Sequence, residues 1–308
     1  MSVIVPAWNA EATIGRTLES LAGQDLSAYE VIVVDDGSED RTAAEVERSG
    51  AARLIRGDHR GPAAARNRGV GASRGGILAF TDADCFPTAG WLREAVAALA
   101  DADIVQGAVR PDPTAVRGPF DRTVWVDGRV ALYETANLLV RRPLFERVGG
   151  FEDWLSVGLG KPLAEDVWLG WRARRAGARV AYSEAALVHH AVIPRGPLAY
   201  VGERARVAYF PDIVARIPEL RDELLFARWF LNRRTAAFDL AAVGTGVAGL
   251  RRSRWPALAA LPYAAMLTGG VRGWRRRAPL VAAAEVAADA IGATALLVGS
   301  LRRRTVVL

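Results

Sequence analysis

The chain has 308 residues, 51% of them hydrophobic and 24% charged, so it can form one large domain or a domain of about 200–250 residues with an appendage. A single cysteine, Cys85, excludes a disulfide framework and is compatible with a reducing compartment. The net charge of +6 comes almost wholly from arginines that crowd toward the carboxyl end beside apolar segments, rather than beside stacking aromatics, which makes nucleic acid the least favoured partner.

The amino-terminal third alternates short β-branched runs with amphipathic segments. The first run follows Met1 almost directly, without the basic and apolar regions of a secretory signal, so we expect a cytoplasmic catalytic part. Asp40 is the expected N-cap of the second helix, and Pro62 lies in the first turn of the third. This alternation predicts a doubly wound, mainly parallel α/β sheet. The predicted strands are 3–5, 31–34, 53–55 and 76–80, and the predicted helices begin near 11, 41 and 62.

The middle of the chain continues this pattern with one interruption. Residues 111–127 are rich in proline, glycine and charge, which predicts a surface loop, a candidate for the acceptor side. The segment 180–188 is predicted as two short strands, the second of which ends at His189 and His190. The other predicted elements are strands 104–109 and 136–140 and helices 90–100, 143–148 and 165–176.

Beyond Pro194 the sequence becomes helical and rich in alanine, leucine and arginine, and three apolar stretches stand out. The first two are shorter than the ~20 residues of a membrane-spanning helix, and Glu285 and Asp289 interrupt the third. Arginine clusters flank all three, which favours helices lying in a membrane interface, while a soluble helical subdomain remains open. We therefore divide the chain into 1–230 and an α-helical region, 231–308. The apolar stretches are 236–250, 257–271 and 280–301.

Two carboxylates, Asp82 and Asp84, directly follow the apolar run 76–80. In extended chain, residues two apart project to the same side, at the strand end where open α/β sheets bind ligands. Like charges at that spacing repel unless a cation lies between them, and hard oxygen ligands favour Mg²⁺ or Mn²⁺. An Asp-rich turn that caps the next helix is the alternative interpretation.

Five motifs then occur in one order, and together they resemble those of family 2 glycosyltransferases, which have the GT-A fold. The resemblance covers roughly residues 1–195, and the carboxyl-terminal region lies outside it. It implies a nucleotide-sugar donor, a divalent cation and inversion at the anomeric carbon. The motifs are Val3-Ile4-Val5-Pro6-Ala7-Trp8-Asn9, Val31-Ile32-Val33-Val34-Asp35-Asp36-Gly37-Ser38, Ala65-Arg66-Asn67-Arg68-Gly69, Thr81-Asp82-Ala83-Asp84 and Glu165-Asp166.

The resemblance also assigns donor-side residues. It places Pro6, Ala7 and Asn9, together with the acidic residue Glu11, around the nucleobase. A turn before a helix accounts equally well for Asn9 and Glu11. A carboxylate after the second strand can accept hydrogen bonds from a base imide or a ribose hydroxyl, and a guanidinium can pair with a diphosphate. An Asp-Gly turn explains Asp36 but not Asp35. The expected donor-binding residues are Pro6, Ala7, Asn9, Glu11, Asp35, Asp36, Arg66 and Asp82.

Inversion in one displacement requires a base that takes the proton of the acceptor hydroxyl. By resemblance that base is Asp166, next to Glu165; alternatively both acids only favour the helix macrodipole. Asp84 is the firmer metal ligand, with Asp82 near it. A histidine completes the metal shell in many GT-A enzymes, and of the two candidates we choose His189, although His190 stays open and either could be an edge residue.

The chain departs from the processive members of the family, because their Gln-x-x-Arg-Trp motif is missing and Arg228-Trp229 only weakly resembles it. We therefore expect one sugar per visit, transferred to a cell-envelope glycan or a lipid-linked acceptor, by a protein that can lie on the inner face of the membrane. Two alternatives remain. A sugar-phosphate nucleotidyltransferase would need a glycine-rich basic loop after the first strand, and a non-catalytic, membrane-associated nucleotide-sugar binding protein would leave Asp166 unexplained.

Overall fold

The structure, a computed structural model, describes residues 1–128, 131–155 and 163–308. Its contacts divide the chain into two compact units. The catalytic unit, as we call the first, comprises Met1–Val116 and Thr123–Ile193, and the helical unit comprises Arg117–Arg122 and Pro194–Leu308. The division lies nearer 193 than the 230 expected from sequence, because the helices that begin at Pro197 pack against the carboxyl-terminal helix.

A mixed, mainly parallel sheet forms the centre of the catalytic unit. Its order is β3-β2-β1-β4-β7-β6-β8-β5. β7 runs antiparallel to β4 and β6, β5 runs antiparallel to β8, and all other neighbours are parallel. The eight strands formed by the described residues are β1 (Ser2–Ala7), β2 (Glu30–Asp35), β3 (Arg53–Arg56), β4 (Ile77–Phe80), β5 (Cys85–Pro87), β6 (Ile104–Pro111), β7 (Leu138–Arg141) and β8 (Val180–His190).

Six helices of the described residues cover this sheet, and most begin close to their predicted positions. Asp40 does not cap its helix as expected: the helix begins at Thr42, and the Asp40 carboxylate accepts bonds from the Thr42 amide and hydroxyl. A core cluster joins alternate residues of the strands to one face of the first helix, which includes Leu18 and Leu21. The helices are α1 (Ile14–Ala22), α2 (Thr42–Ser49), α3 (Pro62–Ala72), α4 (Trp91–Ala98), α5 (Arg142–Arg147) and α6 (Glu165–Arg175).

The segment predicted as two short strands is one strand, β8, with a bulge opposite Gly107 and Ala108. Asn137, which is fully buried, fills this irregularity: its amide donates to the carbonyls of Ala108 and Ala186 at 2.8 and 2.7 Å, and its oxygen accepts from the indole of Trp91. A Cβ at Gly107 would lie 2.2 Å from the Asn137 amide nitrogen. The bulge thereby sets the register of the end of β8, where both histidines lie.

The helical unit contains α7 (Pro197–Glu203), α8 (Phe210–Arg216), α9 (Leu220–Glu223), α10 (Arg233–Arg251), α11 (Leu261–Val271) and α12 (Ala278–Arg303). Short 3₁₀ segments precede α8, α11 and α12. By length and composition, one stretch of the described residues could cross a membrane: Trp255–Arg303, which contains an 18-residue segment with a mean hydropathy of 1.7. This stretch is not one straight helix, because Arg275 has non-helical backbone angles.

Candidate active site

The site forms where parallel strands end at one edge of the sheet. β1 pairs with both β2 and β4 in parallel, so the residues after these three strands meet at that edge. Asp35 is the last residue of β2, and Asp82 and Asp84 follow β4 within four residues. The Thr81 amide donates to the Ile4 carbonyl, which extends the contact between β1 and β4 just beyond Phe80.

Arg66 of α3 connects the acids that follow β4 to those that open α6. It is buried, and its two terminal nitrogens lie 2.9 Å from a carboxylate oxygen of Asp82 and 2.9 Å from one of Glu165. Burial alone would lower the pKa of Arg66, but these two carboxylates raise it above its ordinary value. Arg66 is therefore paired with these two carboxylates in the protein, and its expected contact with a diphosphate stays a prediction.

Asp166 lies beside this pair, and no guanidinium of the described residues is bonded to its carboxylate. The pKa of Asp166 is well above its usual range because of burial first and the charge of Glu165 second, while Arg66 and the Val167 amide act in the opposite direction. Burial also raises the pKa of Glu134, whose Oε2 has no hydrogen-bond partner among the described residues. We call Arg66, Asp82, Glu134, Glu165 and Asp166 the site cluster; its carboxylates outnumber its one cation.

A second group, on the other side of Asp82, has the donor atoms of a metal site. Asp84, Cys85 and His190 offer ligand atoms that all lie within 4.8 Å of one another. The Nδ1 of His190 is 2.7 Å from the Ala191 carbonyl, an arrangement that fixes the tautomer and leaves Nε2, which is 3.4 Å from the Asp84 carboxylate, as an acceptor. Burial raises the pKa of Cys85 well above normal, so it remains a thiol, a weak partner for a hard cation.

The structure places His190, and not the expected ligand His189, beside Asp84. Successive side chains of a strand point to opposite faces, and in β8 it is His190 that faces Asp84. His189 is half-buried on the other face, near Asp112 and Arg16, where burial lowers its pKa. The sequence could not distinguish the two because the bulge in β8 sets which face each histidine occupies.

The loops after β1 and β2 are bonded to each other. The Asn9 amide donates to the Ser38 hydroxyl and the Asn9 side chain accepts from the Glu39 amide, while Glu11 accepts from Arg41. Both predicted donor residues thus hold the loops together, as the turn interpretation allowed. Pro6 and Ala7 lie within β1, and the Ala7 carbonyl accepts from the Asp36 amide.

The two acids after β2 bind backbone amides. Asp35 is buried and accepts from the Ser38 amide, and the Asp36 oxygens accept from the amides of Arg60 and Gly61 at 3.0 and 2.7 Å. Asp36 therefore fixes the loop that leads into α3, on which Arg66 lies. It also lines a small cavity of about 150 Å³ together with Gly57, Asp58, Arg60 and Arg68.

An aromatic pair lies at the mouth of these loops. Trp8 is 45% exposed, and its ring centroid is 4.8 Å from that of His59. The sequence motifs contain Trp8 but neither His59 nor Glu134. An exposed tryptophan directly after a β-strand was the available signal for the first, whereas the other two come from loops far apart in sequence.

The family model described as "Glycosyl transferase family 2" matches residues 2–144. The chain is 32% identical over 215 residues to the glycosyltransferase AglE of Haloferax volcanii, a match that covers 64% of this chain and 69% of AglE.

The chain belongs to glycosyltransferase family 2.

This membership makes it a glycosyltransferase that takes its sugar from a nucleotide-sugar donor. The pre-mycofactocin glycosyltransferase of Mycobacterium tuberculosis is also similar, with 30% identity over 213 residues, which cover 62% of this chain but only 42% of that longer protein. Among solved structures, the mannosyltransferase PcManGT of Pyrobaculum calidifontis, in complex with GDP-Man and Mn²⁺, superimposes with a TM-score of 0.64 at 24% identity. That superposition covers 94% of this chain and 86% of PcManGT and confirms the expected GT-A fold.

Proposed function

We propose that this family 2 glycosyltransferase moves one sugar, with inversion, from a nucleotide-diphosphate sugar to a hydroxyl of a cell-envelope glycan or lipid-linked acceptor. The observation that carries the proposal is the buried position of Asp166 beside Glu165 and Arg66, where its pKa is raised. A carboxylate with a raised pKa is a stronger base than an exposed one, and this one is linked through Glu165 and Arg66 to Asp82 on the donor side. Asp166 would accept the proton of the acceptor hydroxyl as its oxygen attacks the anomeric carbon.

Glu165 is then a positioning residue rather than a second base. Its carboxylate is 2.9 Å from Arg66, and this ion pair holds the first turn of α6 against α3. Arg66 also pairs with Asp82, so these three groups together carry one net negative charge. Burial first and the charge of Glu165 second keep the pKa of Asp166 high. We assign Arg66 the same positioning role, in place of direct contact with the donor phosphates.

The nucleotide would lie across the ends of β1 and β2. Trp8 and His59 present ring faces that can stack on a base, and Asp35 and Asp36 hold the loops that carry them. Carboxylates keep further lone pairs after accepting two amides, so Asp36 and Asp82 can still accept from ribose hydroxyls or the base. Pro6, Ala7, Asn9 and Glu11 shape this mouth from the first strand.

The residues beside Asp84 fit a divalent cation. The imidazole nitrogen of His190, whose tautomer is fixed, and the carboxylate of Asp84 are donors suited to Mn²⁺ or Mg²⁺, and we propose Asp82 as a further ligand. PcManGT, the neighbour with the same fold, was solved with Mn²⁺. When bound, the ion would offset the charge that develops on the departing nucleotide diphosphate.

The test begins with a thermal-shift screen of UDP-, GDP- and dTDP-sugars with Mn²⁺, because a ligand that binds only the folded chain raises its stability in proportion to RT ln(1 + [L]/Kd). The donor that stabilises the protein is then supplied with acceptor lipids and glycans, and the anomeric configuration of the product is read by NMR. An inverted product supports the proposal, and a retained configuration contradicts it. A donor that stabilises the chain but undergoes neither transfer nor hydrolysis would instead favour a non-catalytic binding protein.

A further inference from the structure

We infer that the helical unit binds the surface of an anionic phospholipid bilayer through a charge-free, solvent-exposed face bordered by arginines. We define this apolar face as the exposed side chains of 240–250, 257–271 and 279–301. It belongs to α10, α11 and α12, and it is distinct from the residues proposed for sugar transfer.

α12 supplies the longest part of this face. From Pro279 to Leu301, a segment described in full, every exposed side chain is uncharged. At 1.5 Å per residue this stripe is about 33 Å long. Its largest members are far from buried: Leu297, Val298 and Leu301 are 51, 55 and 71% exposed. A patch of this length on a soluble surface indicates an interaction site, since large apolar patches are rarely left in water.

The neighbouring helices extend the face without adding charge. The exposed residues of α10 between Leu240 and Leu250 are leucine, valine, alanine, glycine and threonine, and those of α11 are of the same kind with proline and methionine. Trp255, just before α11, is 75% exposed. Tryptophan is enriched where membrane hydrocarbon meets water, so its position at the end of an apolar segment fits a bilayer.

The two acids that interrupt the third apolar stretch do not reach this face. Arg234 of α10 lies 2.7 Å from a carboxylate oxygen of Glu285 and 2.7 Å from one of Asp289. The hydroxyls of Tyr200 and Tyr263 donate to these same two acids. We call these five residues the helix cluster; by satisfying its charges inside the unit, it leaves the outside of α12 apolar.

Between residues 251 and 308 the exposed charges are positive. The segment 251–308 has ten arginines against two acidic residues, and both acids belong to the helix cluster. Exposed arginines precede α12 at 275–277 and follow its stripe at 302–304. Arg302 and Arg303 pair with Asp212, which leaves Arg304 and the first cluster as the principal partners for headgroup phosphates. This arrangement is complementary to an anionic membrane surface.

The packing of α12 favours the interface over a spanning position. The segment 197–216 covers its inner side along most of its length: Val281 and Ala284 pack with Tyr200, and a Cβ on Gly299 would meet the Ala208 carbonyl at 2.1 Å. That segment contains Glu203, Arg204 and Arg206. A spanning α12 would carry these charges into hydrocarbon, whereas a helix lying in the interface keeps them on the water side.

The test is flotation of the full chain with vesicles of phosphatidylcholine alone or with 30% phosphatidylglycerol. We expect flotation only with the anionic vesicles and weaker flotation at high salt. Two variants should each lower vesicle affinity at least tenfold. The first combines Leu297→Asp and Val298→Asp in the apolar face. The second combines Arg275→Gln, Arg276→Gln and Arg277→Gln, and each arginine near an anionic surface contributes about fivefold.

Matched controls come from the catalytic unit. Val116→Asp, at a position 95% exposed, and the exposed arginines Arg53, Arg74 and Arg147 changed together to Gln should leave flotation unchanged. The inference would be overturned by equal flotation with both vesicle types, or by wild-type flotation of both the aspartate variant and the arginine variant. Resistance to extraction by salt and alkaline carbonate would show a spanning helix instead, and a concentration-dependent dimer abolished by Leu297→Asp would assign the face to a second copy. A misfolded aspartate variant, detected by loss of the thermal transition, leaves the arginine variant to decide.

Discussion

Each unit of the protein holds an arginine between carboxylates, Arg66 buried and Arg234 partly buried, and the two clusters differ in how completely their charges are satisfied. In the helix cluster, two acids share Arg234, and two tyrosine hydroxyls donate to what remains. In the site cluster, Arg66 pairs with Asp82 and Glu165, while Asp166 and Glu134 have raised pKa values and Glu134 has an oxygen without a partner among the described residues.

The difference indicates that the helix cluster stabilises the fold, whereas the site cluster serves catalysis. Burying charge is favourable only when hydrogen bonds satisfy it, so a fully bonded cluster such as that around Arg234 is explained by folding alone. Excess negative charge beside Arg66 costs stability in the empty protein. Such a cost is expected where a group must later accept a proton or face a cation.

The largest contrast should come from removing one acid of each cluster. Asp166→Asn keeps the size of the side chain but cannot accept a proton, so we expect a loss of about 10²–10⁴-fold in kcat with little change in donor KM. Asp289→Asn should leave kcat per folded molecule unchanged. The measurement is steady-state transfer normalised to folded protein, with donor hydrolysis followed in parallel.

Retained turnover in Asp166→Asn would transfer the base role to another group, with Glu134 the first to test. A parallel loss of donor binding would instead make Asp166 a donor-side residue. If Asp289→Asn lost as much turnover as Asp166→Asn, the distinction between the two clusters would fail.

Removing Arg234, the cation that the two acids of the helix cluster share, should lower stability and leave the catalytic unit unaffected. Arg234→Met leaves Glu285 and Asp289 without their guanidinium. Breaking a fully buried pair from one side typically costs about 3–5 kcal/mol, and we expect a smaller loss here because the Arg234 side chain is 28% exposed. We expect urea unfolding to report this loss without any change in donor affinity. Exposed Arg147→Met, in the catalytic unit, is the control and should change the free energy of unfolding by less than about 0.5 kcal/mol.

Much of the catalytic unit could be predicted from the sequence, because buried β-branched runs and helical periodicity are local signals. β1, β2, β3 and α6 lie within about two residues of their predictions. β5 could not be predicted, since Cys85–Pro87 has three residues and no visible period. The sheet is also not wholly parallel, because β7 enters it between β4 and β6 in the reverse direction, and no local pattern records strand direction.

The motifs suggested the candidate site residues but not their contacts. They assigned Arg66 and Asp82 to the donor side and Glu165 to the acceptor side, whereas the structure pairs Arg66 with Glu165, which is 99 residues away in the chain. Glu134 could not be predicted as a site residue, because a single glutamate in a loop belongs to no recognisable motif or spacing. These contacts depend on tertiary packing, which single-residue patterns do not contain.

A smaller effect should distinguish the two adjacent histidines of β8. His190→Ala should weaken Mn²⁺-dependent donor binding by about 10–100-fold, because it removes the imidazole beside Asp84. His189→Ala, on the opposite face, is the matched control and should bind Mn²⁺ and donor like the wild type. Isothermal titration with Mn²⁺ and nucleotide diphosphate measures both. Equal losses in the two variants would mean that the metal site lies elsewhere, and a loss in His189→Ala alone would restore the first choice.

The smallest expected effect is a gain in stability, and its sign follows from the raised pKa of Asp166. An acid whose pKa is higher in the folded than in the unfolded chain binds more protons when folded, so wild-type stability falls as the pH rises from about 4, the ordinary value for Asp, through the raised pKa. Asp166→Asn has no such loss. Without metal or donor it should therefore melt a few degrees higher than wild type at neutral pH, and this difference should vanish near pH 4.

Asp289→Asn should melt lower than wild type at neutral pH, because it weakens the acceptor of bonds from Arg234 and Tyr263. Thermal melts of the three proteins across this pH range decide the point. If Asp166→Asn melted below wild type at neutral pH, the excess charge of the site cluster would not be a cost to the empty fold, and the contrast with the helix cluster would rest on turnover alone.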